Sequence, residues 1–148
     1  MQWDDTKNSG FTTNDKPWNM INENYTEYNI KNQDGDENSI LNHYRKVINI
    51  RKNNLALSLG SFQSINIKSK NQNLIACYIR EYKDNKIFVL HNFSAKKESV
   101  ELDITGSNLE NKEITFTKLL GKYTKLDNKK NIIKITNVEP YSSIILSY

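Results

Sequence analysis

The sequence predicts a mainly β fold, with a Greek-key β-sandwich over residues 55–148 and a long loop followed by one α-helix over residues 1–54. Three observations predict it. From residue 55 onward, short apolar-alternating runs recur between turn residues. One segment, 36–53, places apolar side chains at helical spacing. The first 35 residues are rich in aromatics yet follow neither period.

The opening segment holds Trp3, Phe11, Pro17, Trp18, Tyr25 and Tyr28 among asparagines and threonines. Long aperiodic stretches are rare inside compact domains, and aromatic side chains this dense need a surface to pack against. The segment therefore reads as an ordered loop supported by something outside these residues. In the helix, Asp36 is the predicted N-cap, with Glu37 in the positive first turn. Ile40, Leu41, Tyr44, Val47, Ile48 and Arg51 share one face, and Asn53 or Asn54 supplies the stop. Burying five such apolar side chains is worth roughly 7–12 kcal/mol gross, which predicts a partner surface for the stripe.

The predicted strands are 55–59, 61–68, 73–83, 86–93, 98–104, 113–120, 131–136 and 142–148. In the third, Ile75, Cys77 and Ile79 alternate with Leu74, Ala76, Tyr78 and Tyr82, and Lys83-Asp84-Asn85-Lys86 reads as a hairpin turn. Gly106 and Gly121 mark further turns, and Pro140 places the last strand at an edge or corner.

Composition narrows the function classes. With 36% hydrophobic and 26% charged residues, a mean hydropathy of −0.74 and only strand-sized apolar runs, no membrane span is expected. The lone Cys77 excludes an internal disulfide framework, and His43 and His91 are too sparse for a metal cage, so no cofactor is predicted. The net charge of +4 comes from 18 lysines and three arginines, alongside 22 asparagines and 17 isoleucines. That is the profile of nucleotide bias more than of a phosphate-binding surface, which favours arginine. No nucleic-acid partner is predicted.

Catalytic motifs are sparse. All five glycines are isolated, so no phosphate loop forms. Asp34, Asp36 and Asn38 mimic the start of a calcium loop, but Ser39 stands where glycine is needed and Arg45 where the bidentate glutamate belongs. Asp4-Asp5 reads as a solvated pair, Cys77 as a core residue, His91 as a structural histidine and His43 as solvated. Asn24-Tyr25-Thr26 and Asn92-Phe93-Ser94 match the N-glycan acceptor pattern, which matters only in a secreted eukaryotic setting.

Certain runs carry a family resemblance. Met1-Gln2-Trp3-Asp4-Asp5, Gly10-Phe11-Thr12-Thr13, Pro17-Trp18 and Asn22-Glu23-Asn24-Tyr25 open the chain, and Asp36 to Ile40 leads into the helix. Gly60-Ser61-Phe62, Val89 to Ser94 and Pro140-Tyr141 follow. Together they resemble the α-amylase clan of glycoside hydrolases, closest to its oligo-1,6-glucosidase, dextran glucosidase and trehalose-6-phosphate hydrolase group. The resemblance implies that residues 1–54 are the loop and last helix of a (β/α)8 barrel, and that residues 55–148 are the C-terminal sandwich.

By the same resemblance the chain is the C-terminal fragment of a retaining α-glucosidase acting on α-linked gluco-oligosaccharides. The family's Arg-Thr-Pro ahead of the Met1 run has no counterpart here. Its two catalytic carboxylates, held ~5–5.5 Å apart for retaining chemistry, lie on earlier barrel strands. No catalytic residue is assigned, and the chain alone is expected to be inactive. Trp3 and Phe11 are the loop candidates for the wall of the sugar pocket, since loops after barrel strands build the site. The expected partner is the parent's barrel, with self-association if the helix stripe is left uncovered, and a cytoplasmic location is expected by analogy. The alternative is a carbohydrate-binding β-sandwich module that stacks sugars on Trp3, Trp18 or the tyrosines.

Overall fold

The computed structural model describes residues 2–148. Two compact units divide the chain, Met1–Ile50 and Arg51–Tyr148, with the division falling inside the long helix.

The first unit holds regular turns and a short helix inside the stretch read as an ordered loop. Short 3-10 turns occupy Lys7–Gly10 and Glu23–Thr26, and a short helix α1 spans Ile30–Asp34. Buried Asn29 caps α1 by accepting from the Asn32 amide at 2.8 Å. The Ile30 and Lys31 amides donate to the carbonyls of Gln2 and Trp3, so the chain's opening is tied down by α1.

The long helix α2 spans Ile40–Asn53. Its cap is not Asp36 but Ser39, whose hydroxyl accepts from the Asn42 amide at 3.2 Å. Asp36 instead closes the preceding turn, its carboxylate accepting from the Asn38 amide at 2.9 Å. Both residue types can cap, and only the three-dimensional course of the turn selects the second. Ile40, Tyr44 and Ile48 on the predicted apolar stripe are 72%, 62% and 54% exposed.

The second unit is the predicted β fold. Its larger sheet orders β1 (Ser61–Ser64), β3 (Ile75–Tyr82), β4 (Asn85–Asn92), β9 (Ser142–Ser147) and β6 (Thr117–Leu120) as β1-β3-β4-β9-β6. The smaller orders β2 (Asn66–Ile67), β5 (Glu98–Asp103), β8 (Ile132–Val138) and β7 (Lys125–Lys129) as β2-β5-β8-β7. Every pairing is antiparallel. The return of β9 to lie between β4 and β6, after β5, β7 and β8 have crossed to the other sheet, is the Greek-key connection. Ile79, Phe88, Leu90, Ile144 and Leu146 from one sheet meet Val100, Leu102, Ile133 and Ile135 from the other in one core, which makes the pair a sandwich.

Several boundaries differ from the sequence expectation for identifiable reasons. Residues 55–59 form no strand, because Ala56–Leu59 is a helical turn, α3, which lies against β3 and β4. Leu-Ala-Leu-Ser-Leu fits period two, but it has no β-branched residue and its leucines and alanine favour helix. The span 61–68 divides at buried Ile65 into β1 and β2, one in each sheet. Of 113–120 only Thr117–Leu120 pairs, although Ile114 and Phe116 still pack on the core. β7 was invisible in the pattern, since Leu126 is its one apolar residue.

Candidate functional site

Side-chain chemistry beyond packing gathers in the loop of the first unit. Asn8, Ser9 and Gly10 take φ values of +58°, +53° and +71° in succession. Asparagine and glycine tolerate this left-handed region, and a run of three reverses the chain sharply. The Trp3 amide donates to the Ser9 carbonyl at 2.9 Å, closing the reversal. Asp4 stabilises it from inside, accepting from the Thr6 amide at 2.9 Å and the Thr6 hydroxyl at 2.6 Å. A Cβ added at Gly10 would meet that carboxylate at 3.0 Å.

The two adjacent carboxylates are therefore engaged separately. The Thr6 hydrogen bonds hold Asp4 below its usual pKa, and the Lys31 ammonium, 3.1 Å away, does the same for Asp5. A general acid needs its pKa raised, so this arrangement suits neither residue to proton donation.

Beyond the reversal, the loop frames an open cleft of about 630 Å³, with Phe11, Pro17, Trp18, Met20 and Ile21 supplying apolar surface and Gln2, Asn14, Lys16, Asn19 and Asn22 supplying polar groups. Trp18 is wholly exposed and Phe11 is 48% exposed. Of the two predicted wall residues, Phe11 lines this cleft and Trp3 does not, although Trp3 is itself 53% exposed. Apolar rings interleaved with amides offer faces for sugar C–H groups and partners for hydroxyls. Pro17, Met20 and Ile21 carried no sequence signal for this role; only folding brings them beside Phe11.

The remaining candidates are structural. Cys77 is buried in the sandwich, and burial pushes its thiol pKa well up, so it stays protonated and inert. His91 lies between Ser143, whose Oγ is 2.7 Å from Nδ1, and Tyr78, whose ring centroid is 5.8 Å away. Burial lowers its pKa. His43 is exposed on α2. Asn92 is 1% exposed, and its Nδ2 group faces the carbonyls of Lys96, Val138 and Glu139 at 2.9, 3.3 and 2.9 Å. Among the described residues no cluster of three or more His, Cys, Asp or Glu side chains forms a metal site. No described helix is long and apolar enough to cross a membrane.

Known proteins account for both units. Residues 1–60 match the family model for the α-amylase catalytic domain, and residues 75–145 match that for the C-terminal domain of the α-amylase SusG. An oligo-1,6-glucosidase of Bacillus cereus is 40% identical over 112 residues, covering 74% of this chain and 19% of its own length. The trehalose-6-phosphate hydrolase of Bacillus subtilis is 30% identical over 146 residues, 98% of this chain and 24% of its own. The crystal structure of a point mutant of the Bacillus licheniformis trehalose-6-phosphate hydrolase superposes with a TM-score of 0.73 at 27% identity, over 99% of this chain and 24% of that one. The chain thus spans 19–24% of the length of these relatives. A stretch of catalytic domain running into a C-terminal β-sandwich, with these relatives, shows that the chain belongs to the α-amylase family of glycoside hydrolases.

Proposed function

We propose that this chain is the closing part of a retaining α-glucosidase that acts on α-linked gluco-oligosaccharides, and that its own role in that enzyme is structural and substrate-framing. The observation that carries the reading is the exposed stripe of Ile40, Tyr44 and Ile48 on a helix within the stretch matched to the catalytic domain. A soluble helix does not keep such a stripe in water, and its natural seat is the outer face of a barrel sheet supplied by the rest of the enzyme. Residues 1–54 then form the barrel's last loop and helix, and residues 55–148 the C-terminal sandwich domain. Phe11 and Trp3 belong to the sugar-facing side, and the nucleophile and acid/base carboxylates lie outside these residues. The enzyme works in the cytoplasm.

Purified chain assayed against an aryl α-glucoside is expected to give no turnover above the blank. Turnover that survives rigorous purification would overturn the reading. Uncovered, the stripe is expected to drive self-association on sizing columns. The wholly exposed Trp18 favours a second reading, an autonomous sugar-binding module. Calorimetric titration with isomaltose separates the two, since a module gives saturable heat without a barrel.

A further inference from the structure

The cleft beside Phe11 is lined by loop residues, but the residue that shapes it is not among them. Asn8 makes three hydrogen bonds to the segment that forms one wall. Its backbone carbonyl accepts from the Phe11 amide at 3.0 Å. Its side-chain Nδ2 donates to the Thr12 carbonyl at 3.2 Å and to the Asn14 carbonyl at 2.6 Å. Phe11, Thr12 and Asn14 all line the cleft. Asn8 does this from a φ of +58°, a conformation that asparagine accepts at low cost and that β-branched or bulky residues resist.

We propose that Asn8 is a positioning residue that touches no substrate and presets the Phe11–Asn14 wall of the sugar-facing cleft. The proposal rests on the reading of the cleft as sugar-facing. Two carbonyls that converge on one side-chain nitrogen need a donor there, which asparagine supplies at this reach. An aspartate of the same shape would set a negative acceptor against both carbonyls. The wall is then held by hydrogen bonds within the loop itself, from Asn8 to Phe11, Thr12 and Asn14.

The test uses Asn8→Asp, which keeps shape and left-handed tolerance, and Asn8→Gly, which keeps the backbone and deletes the donor. Amide hydrogen exchange on the 148-residue chain reads the wall directly. Both variants should speed exchange at Phe11 and Asn14 while β3 and β4 stay protected, and unchanged exchange at Phe11 and Asn14 would overturn the clamp. For function, this chain replaces the matching segment of the Bacillus cereus oligo-1,6-glucosidase. There, Asn8→Asp should raise KM for isomaltose by about tenfold, the equivalent of one hydrogen bond's net worth, with kcat little changed. Asn8→Gly should raise it less, and a purely structural role would lower thermal stability without that split. A KM that rises in Phe11→Ala but not in either Asn8 variant would sink the proposal. If Phe11→Ala leaves KM unmoved as well, the sugar-facing reading is what fails.

Discussion

The Tyr148 hydroxyl donates to Glu81 Oε1 at 2.9 Å, while Oε2 of the same carboxylate accepts from Asn108 Nδ2 at 2.6 Å. One side chain on β3 thereby joins the last residue of the chain to the loop after β5. The Tyr148 ring lies edge-on to Phe116 at 5.9 Å, so Tyr148→Phe removes the donor and keeps the packing. A loss of about 1–2 kcal/mol in urea unfolding is expected. Burial, and then the Glu81 hydrogen bond, hold the phenol pKa above its ordinary 10.0. That stabilisation is full below pH 10 and lost as pH rises beyond it. Tyr148→Phe should flatten the alkaline limb of the stability curve.

His91 gives the opposite slope at the other end of the pH scale. Burial lowers its pKa from 6.5, so the folded chain prefers the neutral ring. Stability should fall as pH drops below 6.5 and level off once the folded ring is protonated too. Urea midpoints measured between about pH 7.5 and pH 5 should show the decline, and His91→Gln should reduce it.

Asn92 is the buried polar residue with most to lose. Its amide serves the carbonyls of Lys96, Val138 and Glu139, and its Oδ1 accepts from the Ser94 amide at 2.9 Å. Asn92→Ala removes the acceptor of the Ser94 amide and a donor to all three carbonyls, of which Lys96 keeps the Ser94 hydroxyl and Glu139 the Ser142 hydroxyl, and should cost roughly 3 kcal/mol. Asn92→Asp should cost more, because it sets an acceptor against three carbonyls. Guanidinium denaturation of both variants checks the ranking.

Gly121 has a φ of +102°, and a Cβ there would lie 2.5 Å from the Ser143 carbonyl oxygen and 2.9 Å from the Ile144 Cα. Both are backbone atoms of β9 and have little room to yield. Gly121→Ala should destabilise by about 2 kcal/mol or more and lower the melting temperature by several degrees. Gly106, also left-handed but with open space around its Cβ position, should tolerate alanine better.

The sandwich was legible because its core strands alternate cleanly. Ile75, Cys77 and Ile79 are buried as the pattern predicts, and Tyr82 pairs with Asn85 across the anticipated hairpin. β7 was hidden because an edge strand in water needs few apolar residues, and Lys125 and Lys129 are the charges that keep such an edge soluble. The site was only partly legible. Phe11 could be named because the family motif contains it. Asn8 gave no signal, since its role comes from a left-handed backbone and carbonyls four and six residues ahead. Periodicity registers which face a residue occupies, not which carbonyls converge on it.

The burial of Asn92 has a practical consequence for choosing an expression host. In a yeast or insect secretory pathway, Asn92-Phe93-Ser94 would be offered to oligosaccharyltransferase before β4 closes against its neighbours. A glycan attached then would occupy the amide that the corner needs, and each modified molecule would be committed to misfolding. Asn24, which is exposed, could carry the same sugar with the fold intact. Secreted yield should therefore rise with a Ser94 substitution only if the Asn92 corner survives it, whereas production in bacteria avoids the conflict.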